Sequence, residues 1–564
     1  MVRGLGRRSI STLVLVVALA AACTQQAASP SAQPSQTGAS STTPPTTPPA
    51  PKTVTIGVGT KWTSFNPLKE TNGYSVGAIN LMYDTLAWQS PDGKFNPRLA
   101  ASWTNSADYK TYTFKLDPRA KWSDGTPVTA KDVVATIAMG ADKTVASVAA
   151  SQTKLLVGTD DSGYSTTPGQ APSGVRAVDD TTVELTLKAP ADPNLVLFGI
   201  GANTYGFNIM PASVLSGIQP ADLAKASFGT EPKVTSGPFL FVSGTIGESI
   251  EFKKNPNYFL GVPKIDRLFY KYVPQASMLA SLQSGDIDVT SAPGVNSDLQ
   301  LQDWQSLASN TNVKGASVPG TAQDSPIINT AKPYLKDARV RQALTMAVDR
   351  NLLVKQVLGG QGAVAVSQIN PLSPFYDRSI QPYPYDAAKA KSLLQDAKFP
   401  FDTELNLVTL AGRATIAQSA QIMQQQFAAI GVKSKITSLE IGAFVTATQN
   451  GDFDLSFLPT TFSSAQGIAD PGTTALFFTC KGSANYSKLC DDVIDKAYAD
   501  GAATPVIDQR TAAYKTLQTQ VHDQAPILFT YIRNGIPAYR ARVNQALQPT
   551  ALGLVTPWLW DVSQ

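Results

Sequence analysis

Apolar and polar residues alternate at several places along this chain, and the alternation predicts strands. Thr53-Val54-Thr55-Ile56-Gly57-Val58 reads as a first strand. Tyr112, Phe114 and Leu116 give a second, and Val183, Leu185 and Leu187 a third after the turn signal Asp179-Asp180. Ser249 to Lys253 and Arg267 to Val273 read the same way. Between 337 and 358 the period changes: Val340, Ala343, Leu344, Ala347 and Val348 share one helical face. Asp349 is placed to cap a following helix that stops at Gly359-Gly360. Further helices are predicted over 387–397 and over 416–430, the latter ending at Gly431. Strands and helices are mixed throughout without a short repeat, which predicts α/β architecture.

The first residues follow another pattern. Arg3, Arg7 and Arg8 precede an apolar run from Leu13 to Ala22 that is too short for a bilayer-spanning helix of about 20 residues. A basic start, a short apolar core and small residues at its end describe a secretory signal, expected over 1–22. The small residues stop at Cys23, and this junction resembles a bacterial lipobox, although its usual Leu is replaced by Ala20 with Leu19 one place earlier. The resemblance implies lipidation of Cys23 and a chain anchored at the outer face of the cytoplasmic membrane. Residues 24–52 are, apart from Gly38 and Lys52, Ser, Thr, Pro, Gln and Ala, which cannot bury enough apolar surface to fold; 23–52 is expected to be a lipid-anchored disordered linker.

The 564 residues are 43% hydrophobic, enough for more than one core. The formal charge of +4 includes the three arginines of the leader, so the remainder is nearly neutral and lacks the basic stripe that nucleic-acid binding requires. Three cysteines and one histidine, His522, are too few for a protein-built zinc site, and neither metal nor cofactor is expected.

A series of short motifs then points to a family. Leu99-Ala100-Ala101-Ser102-Trp103, Tyr112-Thr113-Phe114-Lys115-Leu116 and the run from Lys121-Trp122-Ser123-Asp124-Gly125-Thr126-Pro127 to Val133 resemble the signature of the family 5 extracellular solute-binding proteins of bacterial ABC importers, which take up peptides and nickel. The order continues through Ser64-Phe65-Asn66-Pro67, a helix motif at Leu81-Met82-Tyr83-Asp84-Thr85-Leu86, Ser236-Gly237-Pro238-Phe239 and Asn255-Pro256-Asn257-Tyr258-Phe259. It runs on through Gly285-Asp286-Ile287-Asp288, Asp337 to Asp349, Tyr385 to Leu394, and Asp523-Gln524-Ala525-Pro526-Ile527. Most of these motifs are structural: Gly125 and Pro127 suit a turn, Thr129 and Asp132 form a capping box, and Arg339 and Arg341 read as salt-bridged scaffold.

The resemblance implies a two-lobed periplasmic-binding-protein-like α/β fold with a hinge and an extra subdomain inserted in the first lobe. Lobe I is expected over 53–71, 231–318 and 528–564, its inserted subdomain over 72–230, and lobe II over 319–527, with hinge crossings near 318–324 and 526–532. A monomer is expected to close on a small solute (peptide-like, sugar-like or a chelate) and to deliver it to ABC permease subunits. The alternative is a non-transport role in envelope assembly or signalling on the same fold.

The same resemblance places the pocket. One wall is the loop after the first strand, with Thr60, Lys61, Trp62 and Thr63, where Trp62 offers a rigid face and a polar N–H. The other precedes Asp470-Pro471, with Phe462, Ser463, Ser464 and Gln466. Peptide-binding relatives carry, four residues before this proline, an aspartate that pairs with the α-ammonium; here that position is Gly467, and Asp470 reads as a turn cap. An ordinary peptide amine would therefore lack its buried partner. Cys480 and Cys490 flank a short loop in an oxidising compartment and are expected to form a disulfide, and His522 reads as surface or structural. Gly73-Tyr74-Ser75-Val76-Gly77 fits a hydrolase elbow motif, but the polar Lys69 to Asn72 precedes it in place of a strand, so no enzyme is expected.

Overall fold

The computed structural model describes residues 50–563, except 71, 91–93, 148, 203–206, 291–298, 300, 308–309, 458, 461–467, 469 and 545–555. Cys23 and the leader lie outside the described residues. The chain divides after Ala50, and the folded unit is Pro51–Gln564.

The first strand, Thr53–Val58, lies inside a seven-stranded sheet, parallel to Arg267–Tyr272 on one side and to Val289–Thr290 on the other. Ser249–Lys254 and Phe239–Thr245 extend the first side by antiparallel pairing, and Ala538–Arg540 with Val313–Gly315 the second. The C-terminal part of the chain thus returns to the sheet that the N-terminal part begins. Val54, Ile56 and Val58 are fully buried, as their alternation requires.

A four-stranded antiparallel sheet is built from Ala100–Asn105, Thr111–Leu116, Thr182–Thr186 and Val175–Asp179. Its inward residues Tyr112, Phe114, Val183 and Leu185 share one hydrophobic core with Val54 and Ile56, so the two sheets stabilise each other. Helix Ala130–Gly140 packs in the same core, and the Asp132 carboxylate accepts from the Thr129 N–H at 2.7 Å, as the capping box predicts. The turn before it holds Gly125 at φ 89°, where a side chain would be strained.

Two further four-stranded sheets and a second set of cores follow. In one, Glu404–Leu410 runs parallel to Lys433–Leu439 and to Leu455–Phe457, joined through helix Ala414–Ala429, with Ile327–Ile328 at the edge. In the other, Val318–Asp324 and Tyr531–Gly535 pair antiparallel between Gly362–Val364 and Pro459–Thr460. This pair carries the chain out of the seven-stranded sheet and back into it. The ribbon is tight at Gly320, where an added Cβ would stand 2.0 Å from the Arg533 carbonyl oxygen.

The sequence motifs lie largely on this scaffold. Asp349 caps Arg350–Val357 by accepting from the Leu352 N–H, and Gly359 and Gly360 both take positive φ. Two expectations are corrected. Arg341 is buried but, among the described residues, ion-pairs with no carboxylate: its guanidinium donates to the carbonyls of Leu335, Lys336 and Gln524, and burial lowers its pKa to about 10. The helix expected at Leu81–Leu86 is Gly73–Met82; the chain leaves it because Asp84 is held by Arg98 and by the Tyr258 hydroxyl.

Candidate functional site

Thr60, Lys61, Trp62 and Thr63 follow the buried end of the first strand. Thr60, Lys61 and Thr63 are exposed, whereas Trp62 is 1% exposed. Its indole meets Tyr270 edge-on, with ring centroids 5.2 Å apart. Packing of this kind is the structural role that any Trp offers, but one feature departs from it. The Nε1–H is buried and has no hydrogen-bond partner among the described residues, a state that ordinarily costs about 1–3 kcal/mol. Lys61 pairs with Glu248 and lies over the Tyr272 ring, and the hydrogen bond to Glu248 raises its pKa. The Thr63 N–H donates to Ser75 Oγ at 3.2 Å and its hydroxyl to Glu70 at 3.0 Å, so the loop is fixed at both ends. Ser75 lies in the first turn of an Asn72-capped helix, fully buried and accepting this bond, and therefore has neither the strand nor the exposure of a nucleophile elbow.

Phe462, Ser463, Ser464, Gln466 and Gly467 lie outside the described residues, but the positions where this segment starts and stops are both defined. Before it, Thr460 pairs with Gln323 and Pro459 with Asp324 of the crossing ribbon. Asp324 is buried beside a narrow crevice lined also by Ser325, Ile416, Ser419, Phe457 and Tyr531. Arg533 Nε stands 2.9 Å from the Asp324 carboxylate without the alignment of a hydrogen bond. Burial raises the Asp324 pKa, opposed by the charges of Arg533 and Arg413. Ser419 and the Tyr531 hydroxyl hydrogen-bond across the crevice at 2.8 Å.

After the segment, Asp470 caps the short turn Pro471–Thr474 by accepting from the Gly472 N–H at 2.9 Å. It also accepts from Arg510 at 2.6 Å and from the Tyr514 hydroxyl at 2.9 Å. Capping the turn is therefore only part of the role of Asp470, since a cap alone needs no buried arginine. Arg510, Tyr514 and Gln518 are buried at a spacing of four along helix Ile507–Gln524, a polar stripe that the sequence carries in plain form. Asp324 has no such signal, because its partners come from distant strands.

Cys480 and Cys490 are joined in a disulfide. His522 stacks on Tyr383 with ring centroids 4.2 Å apart. Among the described residues, no helix is long and apolar enough to cross a membrane.

The chain as a whole is similar to known proteins. Residues 94–484 match the family described as bacterial extracellular solute-binding proteins, family 5 Middle. The dipeptide-binding protein of Escherichia coli (strain K12) is 28% identical over 486 residues, covering 82% of this chain and 86% of that protein. The probable di/tripeptide-binding protein 5 of Pseudomonas aeruginosa (strain UCBPP-PA14) is 29% identical over 348 residues, 58% of this chain and 64% of that protein, so the match spans just under two thirds of its length. The ABC transporter substrate-binding protein CtaP of Listeria monocytogenes superposes with a TM-score of 0.79 at 26% identity, covering 91% of this chain and 99% of that one.

Proposed function

This chain belongs to the bacterial extracellular solute-binding proteins of family 5, has their two-lobed α/β fold, and captures a solute for an ABC importer; we propose that the solute is peptide-like and is held between two walls, Thr60–Thr63 and the segment with Phe462, Ser463, Ser464 and Gln466. Relatives named for dipeptides and di/tripeptides favour a peptide-like ligand. The observation that carries the site is the Trp62 indole N–H, buried and unpartnered among the described residues. A peptide carbonyl is the acceptor it lacks. Lobe I is assigned to 53–71, 231–318 and 528–564, its inserted subdomain to 72–230, and lobe II to 319–527. Cys23 carries the lipid anchor, and the chain performs no catalysis.

Gly467 stands where a carboxylate would pair with a free α-ammonium. The site therefore accepts peptides whose amine is blocked or turned to solvent. Calorimetric titration with Ala-Phe and N-acetyl-Ala-Phe tests this. The acetylated form is expected to bind within about threefold of the free dipeptide, because no buried ion pair is lost. A preference of about a hundredfold for the free amine would contradict the reading.

A further inference from the structure

One buried ion pair spans the two lobes. Arg510 belongs to the second lobe: its guanidinium lies over the rings of Phe375 and Tyr514, which share a core there. Its Nε donates to the Gly501 carbonyl at 2.9 Å and one Nη2 bond goes to Asp470 at 2.6 Å. Its Nη1 faces elsewhere, 2.8 Å from the carboxylate of Asp192 and not aligned as a hydrogen bond. Asp192 belongs to the other core. It caps helix Pro193–Val196 by accepting from the Asn194 N–H at 2.6 Å, and its neighbours Ala191, Val196 and Leu197 pack in the core beneath the seven-stranded sheet. Both charged side chains are 3% exposed. Among the described residues, this is the one ion pair that joins the two cores.

We infer that Asp192 and Arg510 are positioning residues that hold the lobes shut: a latch formed on closure of the cleft. The inference rests on the reading of a cleft that closes on its solute. When the lobes part, Arg510 keeps Asp470 as its counter-ion and Asp192 keeps its helix cap, so neither side is left uncompensated. On closure the guanidinium gains a second carboxylate, and both lose water. Desolvation offsets much of the Coulomb attraction of such a pair. The latch therefore specifies the register of closure and biases it, without trapping the solute. Asp470 lies three residues beyond Gly467. The turn that ends the second pocket wall is thus the same turn that orients the latch arginine.

The test measures closure directly and needs no solute. In the full chain carrying Cys23→Ser, spin labels are attached at Asp161→Cys and Lys391→Cys, two exposed positions on different lobes. Pulsed dipolar spectroscopy then reads the inter-label distances. Asp192→Ser keeps a helix-capping hydroxyl but cannot reach Arg510; Asp192→Asn keeps shape and cap and removes only the charge. The unsubstituted latch is expected to give a closed-lobe distance population that falls about fivefold or more in Asp192→Ser and is also reduced in Asp192→Asn. An unchanged population in Asp192→Asn and Asp192→Ser, or no closed-lobe population before substitution, overturns the latch. Either result leaves solute capture standing, since that is read by ligand titration.

Discussion

On the proposed reading, Trp62 serves packing and recognition with one side chain. Its ring fills space against Tyr270, while its Nε1–H is buried without a partner among the described residues. Trp62→Phe separates the two roles, because the smaller ring keeps most of the contact and removes the donor. Affinity for the bound solute is expected to fall by about tenfold, the net worth of one hydrogen bond. The thermal midpoint is expected to stay level or rise, since an orphaned donor has gone. A lower midpoint with unchanged affinity would assign Trp62 to packing alone. Arg98 makes the contrasting case. It ion-pairs with Asp84, whose side chain is wholly buried, and it lies over the Trp558 ring. Burial raises the Asp84 pKa against the lowering effect of Arg98. Arg98→Met leaves that carboxylate uncompensated and is expected to cost about 3–5 kcal/mol in denaturant unfolding.

At the scale of elements, local signals were legible and distant partners were not. The alternation at Thr53–Val58 and Thr111–Leu116 gave strands because each buries a single face. Asp349 and Gly359 marked helix ends because caps are chemistry within a few residues. Arg341 could not be read so directly: its three carbonyl partners come from a neighbouring turn and from the end of another helix. The burial of Trp62 was equally hidden, since Tyr270 arrives from a strand far along the chain. The Cys480–Cys490 link lay between these cases, short in sequence and readable by elimination. Closing that loop is expected to contribute about 2–3 kcal/mol, so a Cys480→Ser/Cys490→Ser double variant should unfold at correspondingly lower denaturant. At the crossing ribbon, Gly320→Ala would push a methyl group into the Arg533 carbonyl and is expected to lower the melting temperature by several degrees.

For the whole molecule, the sequence motifs carried the two-lobed fold but not the contacts that govern its closure. Asp192 and Arg510 sit in separate stretches of chain, and the polar stripe that holds Arg510 carries no sign of Asp192 as its partner. The ends of the folded unit are joined by another long-range device. The Lys52 ammonium pairs with Asp561 at 2.6 Å, and its N–H donates to Asp266, which also pairs with Lys254. Hydrogen bonds from Lys254 and Lys52 hold the Asp266 and Asp561 carboxyls below their ordinary range. Their contribution is fully present above the unfolded value near 4 and is lost as pH falls through the lower folded values. The melting temperature is therefore expected to decline below about pH 4, and Asp266→Asn with Asp561→Asn should shallow that decline. An identical slope in the double variant would place the acid sensitivity elsewhere.

Solute capture itself is tested most directly by native mass spectrometry of the purified chain before and after denaturation. A released small molecule of reproducible, peptide-like mass is the expected result, with its affinity reduced by Trp62→Phe. A chain carrying no adduct and showing no thermal shift with dipeptides, tripeptides or their N-acetyl forms would contradict a peptide-like solute in this cleft.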